Sequence, residues 1–318
     1  MTCPSDSYRI YFAPLQGYTD AIYRNVHARI FGGTEGYYTP FVRLESGKFR
    51  NKDLHDIDPG ANQAPVIPQL LAGHAEELEK ITALFASKGY THADINMGCP
   101  FIPIARKHKG AGLLPYPDEA AALFRALKKF PGMTFSLKMR LGWEKPEEAQ
   151  NLLPLINETD FTGVTVHARV GTQQYKGVPD LDAFEKFYAQ CTHPLYYNGD
   201  LRTIDEITAL TARFPKLRGV VIGRGLLANP ALALEYKSGA ALGEREKLEK
   251  LRLFHSELFQ LYQARLQGDA QLLGKLKTIW EYLLPDADRK QHKKIKKSSR
   301  IDQYTDAVNA LFEQYHVQ

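Results

Sequence analysis

Through the first ~240 residues of this 318-residue chain, short β-rich runs alternate with amphipathic helical stretches, and beyond that the β-rich runs stop. The runs cover residues 10–14 (IYFAP), 36–41 (GYYTPF), 66–70 (VIPQL), 93–97 (ADINM), 134–140 (TFSLKMR), 163–167 (GVTVH), 194–198 (PLYYN) and 219–223 (GVVIG). Helical patterns fall between them at 74–88, 118–129, 146–157, 203–213 and 225–237. In the first of these, Leu78, Ile81, Leu84 and Phe85 share one face, and Gly89 follows as a stop signal. Eight β–α units in this length predict an α/β fold, a TIM (β/α)8 barrel. An open doubly wound sheet competes, but no Gly-x-Gly-x-x-Gly follows the first run.

The remainder is helical in pattern. Residues 244–266 place Leu248, Leu251, Phe254, Leu258 and Leu261 at spacings of three and four, and similar patterns follow at 270–283 and 302–314. The expected organisation is a barrel domain, 1–238, followed by a small all-helical domain, 239–318. Charge divides along the same line. Between Gly274 and Arg300 nine Lys/Arg stand against three acids, an excess larger than the +5 of the whole chain. A positive field concentrated in one segment suits a polyanionic partner; a solvated helical face beside a disordered basic stretch is the plain alternative. Three widely spaced cysteines, Cys3, Cys99 and Cys191, fit neither a disulfide framework nor a zinc site, so no metal is expected and the reduced cytoplasm is the expected compartment. No stretch approaches a membrane span, and the N-terminal residues lack a signal-peptide pattern. A monomer with no obligatory protein partner is expected.

A TIM barrel carries its chemistry at the C-terminal ends of its strands. Those ends here hold Pro14-Leu15-Gln16, Gln69, Asn96 then Cys99, Lys138 and Arg140, His167 and Arg169, Asn198-Gly199-Asp200, and Gly223-Arg224-Gly225. Each has a dull explanation: a strand cap, an internal salt bridge, a satisfied core histidine, an inert thiol. Buried polar groups are costly unless paired, however, and so many together describe a bed of donors for one polar ligand. The glycine turns after runs seven and eight, with Arg224, suit a phosphate. A flavin whose polar edge meets Gln69 and Lys138, or a phosphorylated sugar, would each explain the set.

The segments APLQGYTD, PQLLAG, DINMGCP…KGAGLL, SLKMRLGW, VTVHARVGTQQYKG, YYNGDL and GVVIGRGLLANP, in order from residue 10 to about 235, resemble the tRNA-dihydrouridine synthase family. The resemblance implies a flavin-binding TIM barrel with a helical domain that helps clamp RNA, FMN as cofactor, NADPH as electron donor, and tRNA as partner. It implies reduction of the uracil C5=C6 bond, with hydride from reduced FMN to C6 and a proton from Cys99 to C5. It places FMN on Pro14, Leu15, Gln16, Gln69, Lys138, His167, Asn198, Gly199, Asp200, Gly223 and Arg224. Asn96 and Tyr175 match substrate or RNA positions; Arg169, and the basic residues Arg106, Lys107, Lys109, Lys275, Lys277, Lys293 and Lys294, are expected to meet RNA. Leu15 stands where the family commonly has Met, and HARV at 167–170 replaces HGRT, so that Val170 lacks a hydroxyl. The loop around 100–110 carries extra prolines and the basic run Arg106 to Lys109.

The chemistry explains a thiol at position 99. Hydride addition at C6 leaves enolate-like charge over C5 and O4, and C5 then needs a proton; a thiol of ordinary pKa is mostly protonated at neutral pH, whereas Ser and Ala are not competent acids. The rivals are a flavin barrel that reduces a free small molecule, a synthase acting on ribosomal RNA, an RNA-binding protein without catalysis, and a phosphosugar aldolase using Lys138.

Overall fold

The computed structural model describes residues 8–315; Cys3 lies outside them. All eight expected strands form, and all pair in parallel: β1 (Arg9–Phe12), β2 (Gly36–Tyr38), β3 (Val66–Ile67 and Gln69–Leu70), β4 (His92–Met97), β5 (Thr134–Gly142), β6 (Phe161–Val170), β7 (Leu195–Asn198) and β8 (Gly219–Ile222). Pro68 splits β3, because a proline nitrogen cannot donate to a ladder. The first half of β3 pairs with β2 and the second with β4, and a bridge from Val42 to Leu70 reinforces the join. With β1 paired to both β2 and β8, the sheet closes into the TIM barrel.

Side chains along the strands alternate with period two. On β4 to β6 the odd or even set Ala93, Ile95, Met97, Leu137, Met139, Val164, Val166 and Ala168 faces the surrounding helices and joins the main apolar core. The intervening residues are polar: Asp94, Asn96, Ser136, Lys138, Arg140, Thr165, His167 and Arg169, all buried. A second apolar cluster of Ala13, Tyr38 and Val221 with Tyr11, Ile67 and Tyr196 packs separately, and Tyr11 meets Tyr38 and Tyr196 edge-on at 5.8 and 5.7 Å.

The helices depart from expectation in several places, the short helices Asn51–Asp56 and Ile102–Ala105 among them. The single helix expected over 225–237 is two, Arg224–Ala228 and Leu232–Ser238, broken at Asn229-Pro230. Helices Ala21–Ile30 and Leu181–Gln190 have no counterpart in the sequence reading. The basic stretch is ordered as helix Arg289–Lys297, not a disordered tail.

After Ser238 the chain turns at Gly239, whose φ of +74° is the left-handed conformation that glycine adopts without a Cβ clash. Four helices follow: Glu244–Arg265, Gly268–Ile279, Arg289–Lys297 and Ile301–Tyr315. They dock on helix Ala21–Ile30 through Phe254, whose ring meets Tyr23 at 5.3 Å and Phe31 at 5.4 Å, and through Tyr262, which donates to Asp20 at 2.8 Å. No helix among the described residues is long and apolar enough to cross a membrane.

Candidate active site

Strand register builds the site in layers. Gln69, Asp94 and Ser136 are direct neighbours across β3, β4 and β5; one step further along, Asn96 lies beside Lys138, and beyond that Arg140, His167 and Asn198 are aligned. In the first layer Ser136 Oγ donates to Asp94 Oδ1 (2.6 Å) and Gln69 Nε2 donates to Asp94 Oδ2 (2.7 Å). The chain of bonds then climbs: Asn96 Nδ2 donates to Gln69 Oε1 (2.7 Å), and Asn96 Oδ1 accepts from the backbone N–H groups of Gly98 (3.0 Å) and Cys99 (2.9 Å). A buried polar ladder therefore ends on the turn that carries the thiol.

That turn borders a cavity of about 340 Å³ at the C-terminal end of the barrel. Lys138 and His167 line it, as do Asn96, Cys99, the Pro14–Gln16 segment, the Asn198–Asp200 segment and Gly223-Arg224. Lys138 is buried and has no hydrogen-bond or ion-pair partner among the described residues. Burial and the nearby Arg140 push its pKa down, against the pull of Asp94 and Cys99; Asp94 is pushed up by burial. Buried cations are normally paired, so Lys138 is poised for an anionic or strongly accepting ligand.

His167 is buried and neutral. Desolvation, reinforced by Arg140, Lys138, Arg169 and Arg224, holds its pKa well below the ordinary histidine value. Arg169 Nη1 lies 3.2 Å from His167 Nε2; a guanidinium only donates, so Nε2 accepts and the ring proton sits on Nδ1. The cavity thus gains a neutral N–H donor beside an ammonium.

Cys99 is half-buried against Phe41, Leu71 and Ile104. Burial raises its pKa above the ordinary thiol value, against smaller opposing effects from a backbone hydrogen bond and from Arg140, Arg43 and Lys138. The thiol therefore stays protonated through neutral pH. Gly110 passes directly over it with φ of +59°, and a Cβ there would lie 2.8 Å from the Cys99 carbonyl oxygen. The short loop between them, including helix Ile102–Ala105, is folded back by the Ala111 N–H bond to the Cys99 carbonyl (3.0 Å).

The structure separates the residues picked from sequence. Gln69 is fully buried behind the cavity wall, with its amide engaged by Asp94 and Asn96. Arg169, expected to meet RNA, is fully buried: it donates to the carbonyls of Lys176 (3.3 Å) and Gly177 (2.7 Å) and pairs with Asp200. It braces the loop bearing Tyr175 and leaves no surface for RNA. Tyr175 stands half-exposed at the mouth, its ring 5.4 Å from the Arg140 guanidinium and 4.8 Å from that of Arg224. Lys109, Lys275 and Lys277 are also engaged internally, by Glu77, by Asp20 with the Gly17 carbonyl, and by the Ser298 carbonyl. Arg106, Lys107, Lys293 and Lys294 are exposed. Val170 functions through its backbone, accepting from Arg140 Nη1 (2.9 Å) and donating to Gln173 (2.9 Å), so the missing hydroxyl is bypassed.

One strand-end residue gains a definite place, and one residue escaped the sequence reading. Arg140, read from sequence as one of the strand-end donors with no specific role, lines the cavity and ties the Gly98 carbonyl (3.0 Å) to that of Val170. Tyr282, which lines the cavity from the helical region and meets Tyr18 edge-on at 5.4 Å, carries no local signal at all.

The site fits a phosphate-bearing flavin on its own chemistry. Among the described residues the backbone N–H groups of Gly199, Asp200 and Gly223 have no protein acceptor, and Arg224 lies beside them, paired with Asp200. A Cβ on Gly199 would strike the Tyr197 hydroxyl at 2.2 Å, and one on Gly225 the Leu201 carbonyl at 1.9 Å, so both turns require glycine.

Comparisons with known proteins agree with this geometry. Over 260 residues the chain is 28% identical to a Staphylococcus aureus protein named "Probable tRNA-dihydrouridine synthase", covering 79% of this chain and 77% of that one. It is 29% identical over 261 residues to "Probable tRNA-dihydrouridine synthase 2" of Bacillus subtilis, covering 79% and 78%. Among solved structures, morphinone reductase superposes with a TM-score of 0.54 at 10% identity over 74% of this chain and 87% of its own, a likeness of fold. The family model described as "Dihydrouridine synthase (Dus)" matches residues 11–311, and the chain belongs to that family.

Proposed function

We propose that this protein reduces the C5=C6 bond of specific uridines in tRNA to dihydrouridine, with FMN as cofactor and NADPH as electron source. The observation that carries the reading is Cys99: a half-buried, protonated thiol at the mouth of a polar barrel, one strand from an unpartnered buried lysine. FMN, when bound, supplies hydride to C6 of the uracil. Lys138 and the Nδ1–H of His167 hold the cofactor's polar ring, and the free N–H groups at Gly199, Asp200 and Gly223 hold its phosphate with Arg224. Cys99 gives its proton to C5 as negative charge develops there, and the resulting thiolate recovers a proton from solvent; Arg140 steadies that thiolate. Hydride and proton together add the two hydrogens of the product.

A uridine within folded tRNA reaches the cavity after extrusion from its stack, at a cost of about a few kcal/mol. Residues 239–318 act as the RNA-binding domain in this reading. The exposed Lys293, Lys294, Lys296 and Lys297 of helix Arg289–Lys297, with Arg106 and Lys107 beside the mouth, supply phosphate contacts. Tyr282 joins that domain to the cavity wall. The test is incubation of the purified protein with FMN, NADPH and an unmodified tRNA transcript, followed by nucleoside mass spectrometry. Dihydrouridine at defined positions supports the proposal; unchanged tRNA alongside NADPH consumption with a small enone substrate replaces it with a small-molecule reductase.

A further inference from the structure

The hydrogen-bond ladder below Cys99 has a direction, set at its base by a buried carboxylate and at its top by the turn. Asp94 is fully buried, and its two oxygens are met by Ser136 Oγ and Gln69 Nε2. As a carboxylate it only accepts, so Gln69 must turn its NH2 toward Asp94 and its carbonyl toward Asn96. Asn96 must then spend Nδ2 on Gln69, which leaves Oδ1 for the N–H groups of Gly98 and Cys99. The far end demands the same sense, because two backbone N–H groups need an acceptor. Reversing Asn96 alone would set oxygen against oxygen at Gln69 and donor against donor at the turn; reversing Gln69 alone would set oxygen against the Asp94 carboxylate and donor against donor at Asn96.

We propose that Asp94 is a positioning residue whose carboxylate fixes the orientation of the Gln69 and Asn96 amides and thereby holds the turn that presents the Cys99 thiol. The proposal rests on the function given above only for the role of Cys99. It gives Asn96 a duty besides substrate contact, since both ends of its amide already serve the ladder. It also accounts for an acid buried inside the barrel with no ion-pair partner among the described residues.

Asp94→Asn, made in the full-length protein, tests it. A neutral amide at position 94 offers Gln69 either a donor or an acceptor, so only the Gly98 and Cys99 N–H groups still set the sense of the ladder, and that turn loses its acceptor in part of the population. The first readout is the rate at which iodoacetamide alkylates Cys99, followed by peptide mass spectrometry with and without FMN. A change of about fivefold or more is expected. The second is the single-turnover reduction of tRNA, expected to fall about tenfold or more while NADPH-driven flavin reduction and tRNA affinity hold. The double variant Asp94→Asn/Gln69→Glu moves the acceptor-only group one position along and restores the sense at Asn96, so the alkylation rate should return toward the parent value. An alkylation rate unchanged by Asp94→Asn overturns the proposal, as does a change that the double variant fails to reverse. Should Asp94→Asn not fold, Gln69→Met severs the ladder at its middle and carries the same test against the parent. If the parent protein reduces no uridine, the functional reading fails, and alkylation still decides the role of Asp94.

Discussion

At the barrel mouth Lys138, Arg140 and Arg169 are buried, while on helix Arg289–Lys297 Lys293, Lys294, Lys296 and Lys297 stand in solvent. The two sets do different work because the dielectric around them differs. Buried cations act on neighbours a few ångströms away, shift pKa values and fix orientations; exposed ones sum into a screened field felt by a whole polyanion. Between them lies a third group, Lys109, Lys275 and Lys277, basic in sequence yet tied to Glu77, Asp20 and the Ser298 carbonyl. In the proposed function, positive charge in the sequence is thus divided among chemistry, RNA capture and internal cohesion. Changes at the mouth should alter the reaction and spare RNA affinity, and changes on the helix should do the reverse.

The hardest strike at this division is Cys99→Ala. The rate of uridine reduction should fall about 10²–10⁴-fold, measured in single turnover, with tRNA affinity unchanged. Because burial raises the Cys99 pKa, the acid form persists as pH rises past the ordinary thiol value. The parent rate should therefore stay level through neutral and mildly alkaline pH and drop only beyond it, and a decline that begins below pH ~8 would speak against Cys99 as the acid.

Next in size is Lys138→Met, which removes the unpartnered ammonium while keeping the bulk. Flavin affinity should weaken by about tenfold to a hundredfold, read from quenching of flavin fluorescence. Equal flavin affinity in the variant would leave the buried lysine without its assigned ligand.

On the other side, Lys293→Ala combined with Lys294→Ala and Lys297→Ala should weaken tRNA binding and lower its salt dependence by about 0.7–0.9 in slope per lost phosphate contact, with the chemical step intact. A full-strength salt slope in the triple variant would move the RNA surface elsewhere.

Lys275→Ala is expected to have the smallest effect on RNA and instead to act on stability. Burial raises the Asp20 pKa, but Lys275 and hydrogen bonds from the Tyr23 N–H and Tyr262 outweigh it, so the folded value lies below the ordinary one. A depressed carboxylate contributes stability above its unfolded pKa, near 4, and loses it as pH falls through the folded value. Melting temperature should thus decline in acid for the parent protein. Lys275→Ala should reduce stability at neutral pH by about 1–3 kcal/mol and blunt that acid decline, with no change in salt slope for RNA.

Much of the barrel was legible because period-two and 3.6-residue patterns are local. Every barrel strand was found within a few residues, while the short antiparallel pair Leu44–Glu45 and Lys48–Phe49 was not. The missed helix Ala21–Ile30 shows the limit: Arg24 and His27 interrupt its apolar stripe, and both bond to residues beyond the helix, Arg24 to the Asp56 carbonyl and Asn62 and His27 to Tyr37 and Pro230. The site divided in the same way. Residue type at strand ends marked Cys99, Lys138 and His167, but not which basic residues keep their charge free. Arg169 and Lys275 are claimed by Asp200 and Asp20, 31 and 255 residues away in sequence, and nothing local announces such partners. Tyr282 reaches the cavity only because the helical region docks where it does.

The most direct test reduces the FMN-loaded protein with NADPH under anaerobic conditions, removes the excess, and mixes it with unmodified tRNA while flavin absorbance is followed. The account predicts that the oxidised flavin bands return with tRNA, that the RNA gains the mass of two hydrogen atoms per modified uridine, and that free uridine does neither. Bands that stay bleached in the presence of tRNA would contradict it.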